Sequence, residues 1–156
     1  MVLNITLVGG GNSTHVLAAL AAEAGHNVSI LTRRVGDWAS DRVITMQNSD
    51  PGWLGGTPKV VGTVVTISSD TEALISGADV IVLAGLPVHL YRHMLGQICP
   101  HIKRSGVMLG SLCAYGGFSW LVKEAMGQER ASSVTTFGCQ SIPWTCGLVS
   151  YGTVGP

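Results

Sequence analysis

The segment that most constrains the fold is ITLVGGGNSTHVLAAL, residues 5–20, in which three consecutive glycines separate a β-branched apolar run from an alanine- and leucine-rich run. The first run predicts a strand and the second predicts a helix. Glycine loses more conformational freedom on folding than any other residue, so three in a row indicate that the backbone must approach a partner closely there. A phosphate group fits this requirement, because the first amides of a helix are unsatisfied hydrogen-bond donors.

Strand-like and helix-like segments alternate along the chain. The predicted strands cover residues 4–9, 27–32, 79–85, 106–112 and 133–138, and the predicted helices cover residues 13–25, 70–78, 87–98 and 118–128. The run DVIVLAG is apolar nearly throughout, which is typical of a strand buried on both faces of a parallel sheet. The alternation therefore predicts the α/β class, with a Rossmann-type, doubly wound, mainly parallel sheet and helices on both of its faces.

Two regions depart from this alternation. Residues 33–59 form a polar connection, within which RVITMQ, residues 42–47, could form a strand, and the β-branched run KVVGTVVTIS, residues 59–68, follows. Residues 144–155 are interpreted as a further strand that leads outward, as a linker to a second domain would. The polar and turn-forming residues of the connection include Asp37, Trp38, Asp50, Pro51, Gly52, Gly55 and Gly56.

The composition describes one domain with a dense interior. The 156 residues are 46% hydrophobic and 12% charged, and nine basic residues balance nine acidic ones. Without a net charge or a basic run, nothing favours nucleic acid or an anionic membrane surface as a partner. No leader-like segment precedes the first strand and no apolar run is long enough to span a bilayer, so we expect a cytoplasmic protein. The cysteines lack C-x-x-C spacing and are interpreted as buried, reduced thiols: Cys99, Cys113, Cys139 and Cys146.

The glycine-rich segment matches the dinucleotide-binding motif G-x-G-x-x-(G/A) at its first two glycines, while Thr14 stands at the third position. The motif follows a strand and opens a helix, and a second strand ends about 20 residues later, which is the context such a site requires. Gly9 would permit the tight turn and Gly11 would let the backbone approach a pyrophosphate. At Thr14 we expect a small offset of the helix. The alternative is a glycine-rich turn without a ligand.

The residues of this segment are all candidates for cofactor binding. For His15 two roles are open: it could donate to a phosphate or pack on the neighbouring loop. The candidates are Gly9, Gly10, Gly11, Asn12, Ser13, Thr14 and His15.

The second strand ends in LTRR, residues 31–34, and no acidic residue follows before Asp37. NAD sites usually place an acid here to accept hydrogen bonds from the adenosine ribose. Arg33 and Arg34, next to Thr32, instead suit a 2′-phosphate, because arginine pairs with phosphate oxygens bidentately and stays charged. The segment therefore favours NADP over NAD. Two alternatives remain open: ordinary surface charges, or an arginine that stacks on the adenine ring of NAD.

A third group of candidates lies after the strand at residues 79–85. Ligands of doubly wound sheets bind where the strand order reverses, at the carboxyl ends of the strands. We therefore expect Leu86, Pro87 and Val88 to contact the cofactor.

Other reactive side chains lack the partners that chemistry would need. His89 and His93 have a helical i, i+4 spacing, but no nearby carboxylate or thiol completes a metal site. Tyr115 and Lys123 do not have the Y-x-x-x-K spacing of short-chain dehydrogenases, and Ser111 has no placed base. We therefore predict no metal site, and the sequence names no catalytic residue.

Four motifs together resemble the cofactor domain of the octopine/nopaline (opine) dehydrogenases, and the resemblance covers essentially the whole chain. They are GGGNSTH (residues 9–15), ADVIVLAGLP (78–87), GGFSW (116–120) and IPWTC (142–146). The resemblance implies kinship with ketopantoate reductase and glycerol-3-phosphate dehydrogenase, in which an all-helical domain follows a Rossmann domain. It also implies the reaction: reductive condensation of an amino acid's amine with a 2-oxo acid, with hydride passing from NAD(P)H to the imine carbon.

The chain also departs from the family pattern. Gly147 follows the cysteine of IPWTC, where the resemblance implies an arginine, and this puts a substrate-carboxylate contact there in doubt. The family's catalytic histidine and substrate-binding arginine belong to the helical domain, which has no counterpart in residues 1–156. We therefore expect a single dinucleotide-binding domain, inactive alone, whose amino-acid and 2-oxo-acid substrates bind through a second domain. An apolar face left by that domain would favour a homodimer or poor solubility.

Two other functions stay open. One is a non-catalytic dinucleotide sensor, although such domains usually keep the acidic residue that LTRR lacks. The other is the cofactor domain of an enzyme more like ketopantoate reductase or glycerol-3-phosphate dehydrogenase.

Overall fold

The computed structural model of the chain describes residues 1–49, 52, 56–114 and 117–155. Asp50, Pro51 and Gly55 of the predicted polar connection lie outside the described residues, as do Tyr115 and Gly116.

The helices and strands follow the predicted alternation closely. The strands are β1 (Asn4–Val8), β2 (Asn27–Leu31), β3 (Val43–Gln47), β4 (Lys59–Thr63), β5 (Thr66–Ser68), β6 (Val80–Leu83), β7 (Met108–Ser111), β8 (Thr135–Gly138), β9 (Gly147–Ser150) and β10 (Thr153–Gly155). The α-helices are α1 (Asn12–Glu23), α2 (Thr71–Ile75), α3 (Tyr91–Ile98), α4 (Phe118–Met126) and α5 (Gln128–Ala131).

The main sheet has six parallel strands in the order β5-β2-β1-β6-β7-β8. The chain runs outward from β1 through β2 to β5, then returns to β6 on the other side of β1 and runs outward again. Helix α1 covers one face, and α2, α3 and α4 cover the other. The predicted Rossmann-type, doubly wound sheet with helices on both faces is confirmed, and the strand order reverses between β1 and β6.

A second, four-stranded sheet, in the order β4-β3-β10-β9, was not predicted as a unit. The β-branched run at residues 59–68 is two strands: β4 belongs to the second sheet and β5 to the main sheet. The division falls between neighbouring residues, because the Val64 amide donates to Arg42 O (3.0 Å) and the Val65 amide donates to Val28 O (2.7 Å).

The outward strand predicted at residues 144–155 is wrong, because this segment folds back as a hairpin. Strands β9 and β10 are antiparallel, and β10 pairs parallel with β3. Gly152 has φ +89°, a conformation that glycine adopts without strain, and its carbonyl accepts from the Thr45 amide at 2.7 Å. The hairpin is thereby fixed to the second sheet.

Helix α1 lies between the two sheets, which explains its alanine-rich sequence. Ala18, Ala19 and Ala21 are buried. Strand β4 approaches so closely at Gly62 that a Cβ there would lie 2.7 Å from Ala19 O. A helix buried on opposite sides needs small apolar residues around most of its surface, and α1 has them. The helix ends at Glu23, and Gly25, the residue predicted to end it, follows the C-cap with φ +85°.

Smaller differences from the predicted elements have local causes. The helix predicted from Pro87 starts as a 3-10 turn, Val88–Leu90, because Pro87 is extended with ψ 138°. The helix predicted to run to Gln128 ends at Met126, where Gly127 takes φ +81°.

All four cysteines are free as expected, but only Cys99 is buried. Among the described residues, no helix combines the length and the apolar character that a bilayer crossing requires.

Candidate functional site

The glycine-rich loop is held against the end of β6 by contacts that leave no room for side chains. A Cβ at Gly9, which has φ +126°, would lie 2.1 Å from Ala84 O, and one at Gly11 would lie 2.9 Å from Gly85 O. The Gly9 amide donates to Leu31 O at 2.9 Å, so the loop also contacts the end of β2. The loop therefore lies at the carboxyl end of β1, with the ends of β2 and β6 on either side, at the point where the strand order reverses.

The N-terminus of α1 is open to an anion. Gly11 is the N-cap residue and is extended, with φ −87° and ψ −172°. Within the described residues, no side chain caps this helix end and its first turn carries no acidic residue. Amide donors and the positive end of the helix dipole are thus available to a negatively charged ligand.

Thr14, at the third motif position, is fully buried against β6. Its hydroxyl donates to Ala84 O at 2.7 Å. Gly85 provides the space for it, since a Cβ at Gly85 would lie 3.0 Å from both Thr14 Oγ1 and Gly11 Cα. The bulk of Thr14 is therefore accommodated by a glycine on the facing strand end.

A cleft of about 600 Å³ opens on the β2 side of the loop. Seven predicted site residues line it: Gly9, Gly10, Gly11, Thr32, Arg33, Arg34 and Leu86. Eight lining residues were not predicted: Leu31, Ser69, Thr71, Leu90, His93, Met94, Gln97 and Tyr151. Ser69 directly follows β5, as Thr32 directly follows β2, so both residues lie at the carboxyl edge of the main sheet.

A second pocket, of about 430 Å³, lies on the other side of the loop. The predicted residues Asn12, Ser13, Pro87 and Val88 line it. Gly11 and Leu86 line both cavities, so the two adjoin the glycine-rich loop from its two sides. All the predicted site residues except Thr14 and His15, which are buried beneath the loop, therefore line one or both of these cavities.

Buried hydroxyls support the second pocket. Tyr91 and Ser111 are both buried, with 2.6 Å between their hydroxyl oxygens. The Tyr91 hydroxyl also donates to Cys113 O at 3.0 Å, and the Cys113 amide donates to Ser111 Oγ at 3.1 Å. Burial raises the pKa of Tyr91, so the phenol stays protonated as a donor. These bonds fix the end of β7 beneath the pocket.

His15 is fully buried and packs on the neighbouring loop, one of the two placements that the sequence left open. Its ring stacks on Trp38, with ring centroids 4.3 Å apart and planes inclined by 10°. Nδ1 lies 3.0 Å from Gly11 O, and because a carbonyl only accepts, Nδ1 carries the proton. Burial lowers the pKa of His15, with a smaller opposing effect from the Gly11 carbonyl. The neutral ring therefore supports the loop from below.

The two arginines after β2 differ in their surroundings. Arg34 forms an ion pair with Asp37 through Nε, and its guanidinium carbon lies 4.8 Å from the centre of the Tyr151 ring. Arg33 is exposed and, within the described part of the chain, forms no hydrogen bond or ion pair. The charge of Arg34 is thus partly compensated, whereas that of Arg33 is not.

The fold and site agree with a known family. A family model described as NAD-dependent glycerol-3-phosphate dehydrogenase N-terminus matches residues 4–134. The chain belongs to this family. It is a dinucleotide-binding domain, and the description of the family names NAD as the cofactor.

The resemblance to opine dehydrogenases is confirmed by similar proteins. Octopine dehydrogenase of Pecten maximus is 28% identical over 163 residues, covering 97% of this chain and 39% of the relative. Tauropine dehydrogenase of Arabella iricolor is 28% identical over 160 residues, covering 95% and 38%. A solved structure of octopine dehydrogenase with NADH and pyruvate has a TM-score of 0.83 at 25% identity, covering 98% of this chain and 40% of that one. The chain spans about two fifths of the length of these relatives.

The buried His15 predicts a pH dependence of stability. Its pKa is lowered in the folded chain from the usual value of 6.5, so as the pH falls through 6.5 the unfolded chain takes up a proton that the folded chain excludes. The free energy of unfolding should therefore be fully retained above pH 6.5 and decrease below it. His15→Phe keeps an aromatic ring on Trp38 without a titrating group.

Urea unfolding between pH 5.5 and 7.5 checks this expectation. The decrease below pH 6.5 should flatten in His15→Phe, so the free energy of unfolding of the variant, relative to that of the wild-type chain, should rise as the pH falls. Parallel curves for the variant and the wild-type chain would show that His15 does not carry the effect.

Proposed function

We propose that the domain holds its dinucleotide across the carboxyl edge of the main sheet, with the pyrophosphate on the glycine-rich loop, the adenosine in the cleft beside Arg33, and the nicotinamide in the pocket beside Pro87. The observation that carries this proposal is that Gly11 and Leu86 line both cavities, next to the open N-terminus of α1. A dinucleotide has two nucleoside halves joined at an anionic centre, which matches this arrangement.

The residues present fit that group. The Cβ-free faces of Gly9 and Gly11 bring the loop against β6, and the first-turn amides of α1 offer donors without a competing side-chain cap. Asn12 and Ser13 lie at the boundary between the anionic centre and the second pocket. Thr14 and His15 fix the loop from beneath, so their contribution is to its position.

At the adenosine end we propose a preference for NADP(H) over NAD(H), with Arg33 as the 2′-phosphate contact. Support comes from its exposed guanidinium after β2, in the wall of the cleft, for which the described residues provide no ion-pair partner. An arginine and a phosphate form short, charge-assisted hydrogen bonds. Arg34, paired with Asp37, adds less net positive charge.

For the whole protein we propose an oxidoreductase of the opine dehydrogenase type, acting on an imine formed from an amino acid and a 2-oxo acid. Support comes from similarity to octopine and tauropine dehydrogenases along nearly the whole chain. When bound, the reduced cofactor supplies the hydride. This chain's residues bind and orient the dinucleotide, and a second domain would bring the substrates to the pocket at Pro87 and Val88.

A charge placed at the anionic centre tests the proposed binding mode. Asn12→Asp puts a carboxylate at the N-terminus of α1, where it favours the helix but repels a pyrophosphate. Two like unit charges about 4 Å apart repel each other by about 1 kcal/mol in bulk water and by about 4 kcal/mol near a protein surface. The Kd for NADH should therefore rise about tenfold or more. Fluorescence titration of NADH measures it.

The matched control is Asn12→Ala. Both variants lose the hydrogen bond from Asn12 Nδ2 to Cys146 O (2.9 Å), and only the aspartate adds a charge. The alanine variant should bind NADH within about threefold of the wild-type chain, since an exposed hydrogen bond contributes little. Equal affinities for Asn12→Asp and Asn12→Ala would overturn the binding mode. Gly11→Val is unsuitable as a test, because its Cβ would contact Gly85 O whether or not a ligand binds.

Arg33→Ala tests the preference at the adenosine end. Losing a charge-assisted contact to a phosphate should raise the Kd for NADPH about tenfold, while the Kd for NADH changes much less. Lys59→Ala, an exposed charge on β4, is the control for net charge and should leave both affinities unchanged. Tighter binding of NADH than of NADPH by the wild-type chain would overturn the preference for the phosphorylated cofactor.

A further inference from the structure

Tyr151 reaches the cleft from outside the main sheet. It lies in the turn between β9 and β10, beyond the residues 4–134 that the family model matches, and it lines the cleft together with Arg34. The hairpin is held on the second sheet by the bond from the Thr45 amide to Gly152 O. The second sheet thus contributes a residue to the candidate adenosine site.

The Tyr151 ring is fixed on one side and contacts a cation on another. It packs edge-on against Trp38 at 5.2 Å and against His15 at 5.5 Å, measured between ring centroids. The guanidinium carbon of Arg34 lies 4.8 Å from its centre, within the range of a cation–π interaction. Since His15 also contacts Gly11 O, an unbroken series of contacts joins the glycine-rich loop to Arg34.

We infer that Tyr151 is a positioning residue for the adenosine half of the dinucleotide, acting through Arg34; this inference rests on the proposed binding mode. The Arg34 guanidinium lies over the Tyr151 ring, and its Nε donates a hydrogen bond to Asp37. Its terminal nitrogens have no hydrogen-bond partner among the described residues, so they and the side of the group away from Tyr151 remain for the ligand. The guanidinium is a flat cation, and such a group packs favourably on the π face of a purine.

The advantage of this arrangement is conformational. The Arg34 side chain is 67% exposed, and an exposed arginine samples many rotamers that binding must restrict. Holding the guanidinium between Tyr151 and Asp37 before the ligand arrives reduces that entropy loss. Because Asp37 compensates its charge, Arg34 should contribute equally to NADH and NADPH, whereas Arg33 distinguishes them.

Calorimetric titration of Tyr151→Leu, with Tyr151→Phe as the matched control, tests this role. Tyr151→Leu removes the ring face and should weaken binding of NADH, NADPH and ADP-ribose by a common factor of about three to ten. ADP-ribose carries the adenosine half without nicotinamide, so an equal loss locates the effect at that half. Tyr151→Phe keeps the ring and should bind within about twofold of the wild-type chain.

Arg34→Met supplies a second, independent arm. Its long apolar side chain replaces an exposed arginine, so the fold should tolerate it even if Tyr151→Leu is unstable. Because Arg34 itself meets the ligand, Arg34→Met should lose at least the factor that Tyr151→Leu loses, and adding Tyr151→Leu to it should cause less than about a twofold further loss.

The outcomes separate this inference from the proposed function. Three results would each overturn the role of Tyr151. The Tyr151→Leu variant could bind with wild-type affinity, or Tyr151→Leu could reduce the affinity of the Arg34→Met variant as much as it reduces that of the wild-type chain. The third result is a Tyr151→Phe variant that binds as weakly as the leucine variant. In those cases NADH binding by the wild-type chain would still stand. If the wild-type chain bound none of NADH, NADPH and ADP-ribose, the proposed function itself would be overturned.

Discussion

The contact between the backbones of the glycine-rich loop and the end of β6 determines the rest of this structure. Gly9 and Gly11 face Ala84 and Gly85 at distances that admit no Cβ. This contact places the N-terminus of α1 at the point where the strand order reverses, and the hydroxyl of Thr14 strengthens it through Ala84 O. An open helix N-terminus fixed at that point is the basis of an anion site.

The same helix connects the site to the second sheet. Its small side chains let the second sheet approach closely at Gly62, from the face opposite the main sheet. That sheet carries the hairpin with Tyr151, and His15 on the first turns of α1 contacts both Tyr151 and Trp38. Residues distant in sequence thus pack beneath the loop and beside Arg34. The positions of these cofactor-site residues therefore depend on the packing of the second sheet against α1.

The sequence predicted the parts of the fold that local patterns encode. Strands β1, β2 and β6, helix α1 and the glycine that follows it, Gly25, accord with periodicity and glycine placement, whereas only seven of the fifteen residues that line the cleft were predicted. The division of residues 59–68 depends on which strands Val64 and Val65 meet, and the hairpin depends on the pairing of Gly152 with Thr45. These pairings leave no local signal, so Tyr151 could not be predicted. The placement of His15 was likewise decided by Trp38, which is distant along the chain.

The central claim is that a dinucleotide lies across the loop and joins the two cavities. Amide chemical shifts of the ¹⁵N-labelled chain, recorded during titration with NADH, test it most directly. If the dinucleotide spans both cavities, the largest changes should occur on both sides of the loop, at Gly10, Asn12, Ser13, Arg33 and Val88. Changes confined to the separate cavity lined by Met46, Gln47 and Thr145, with the amides of residues 9–13 unmoved, would contradict it.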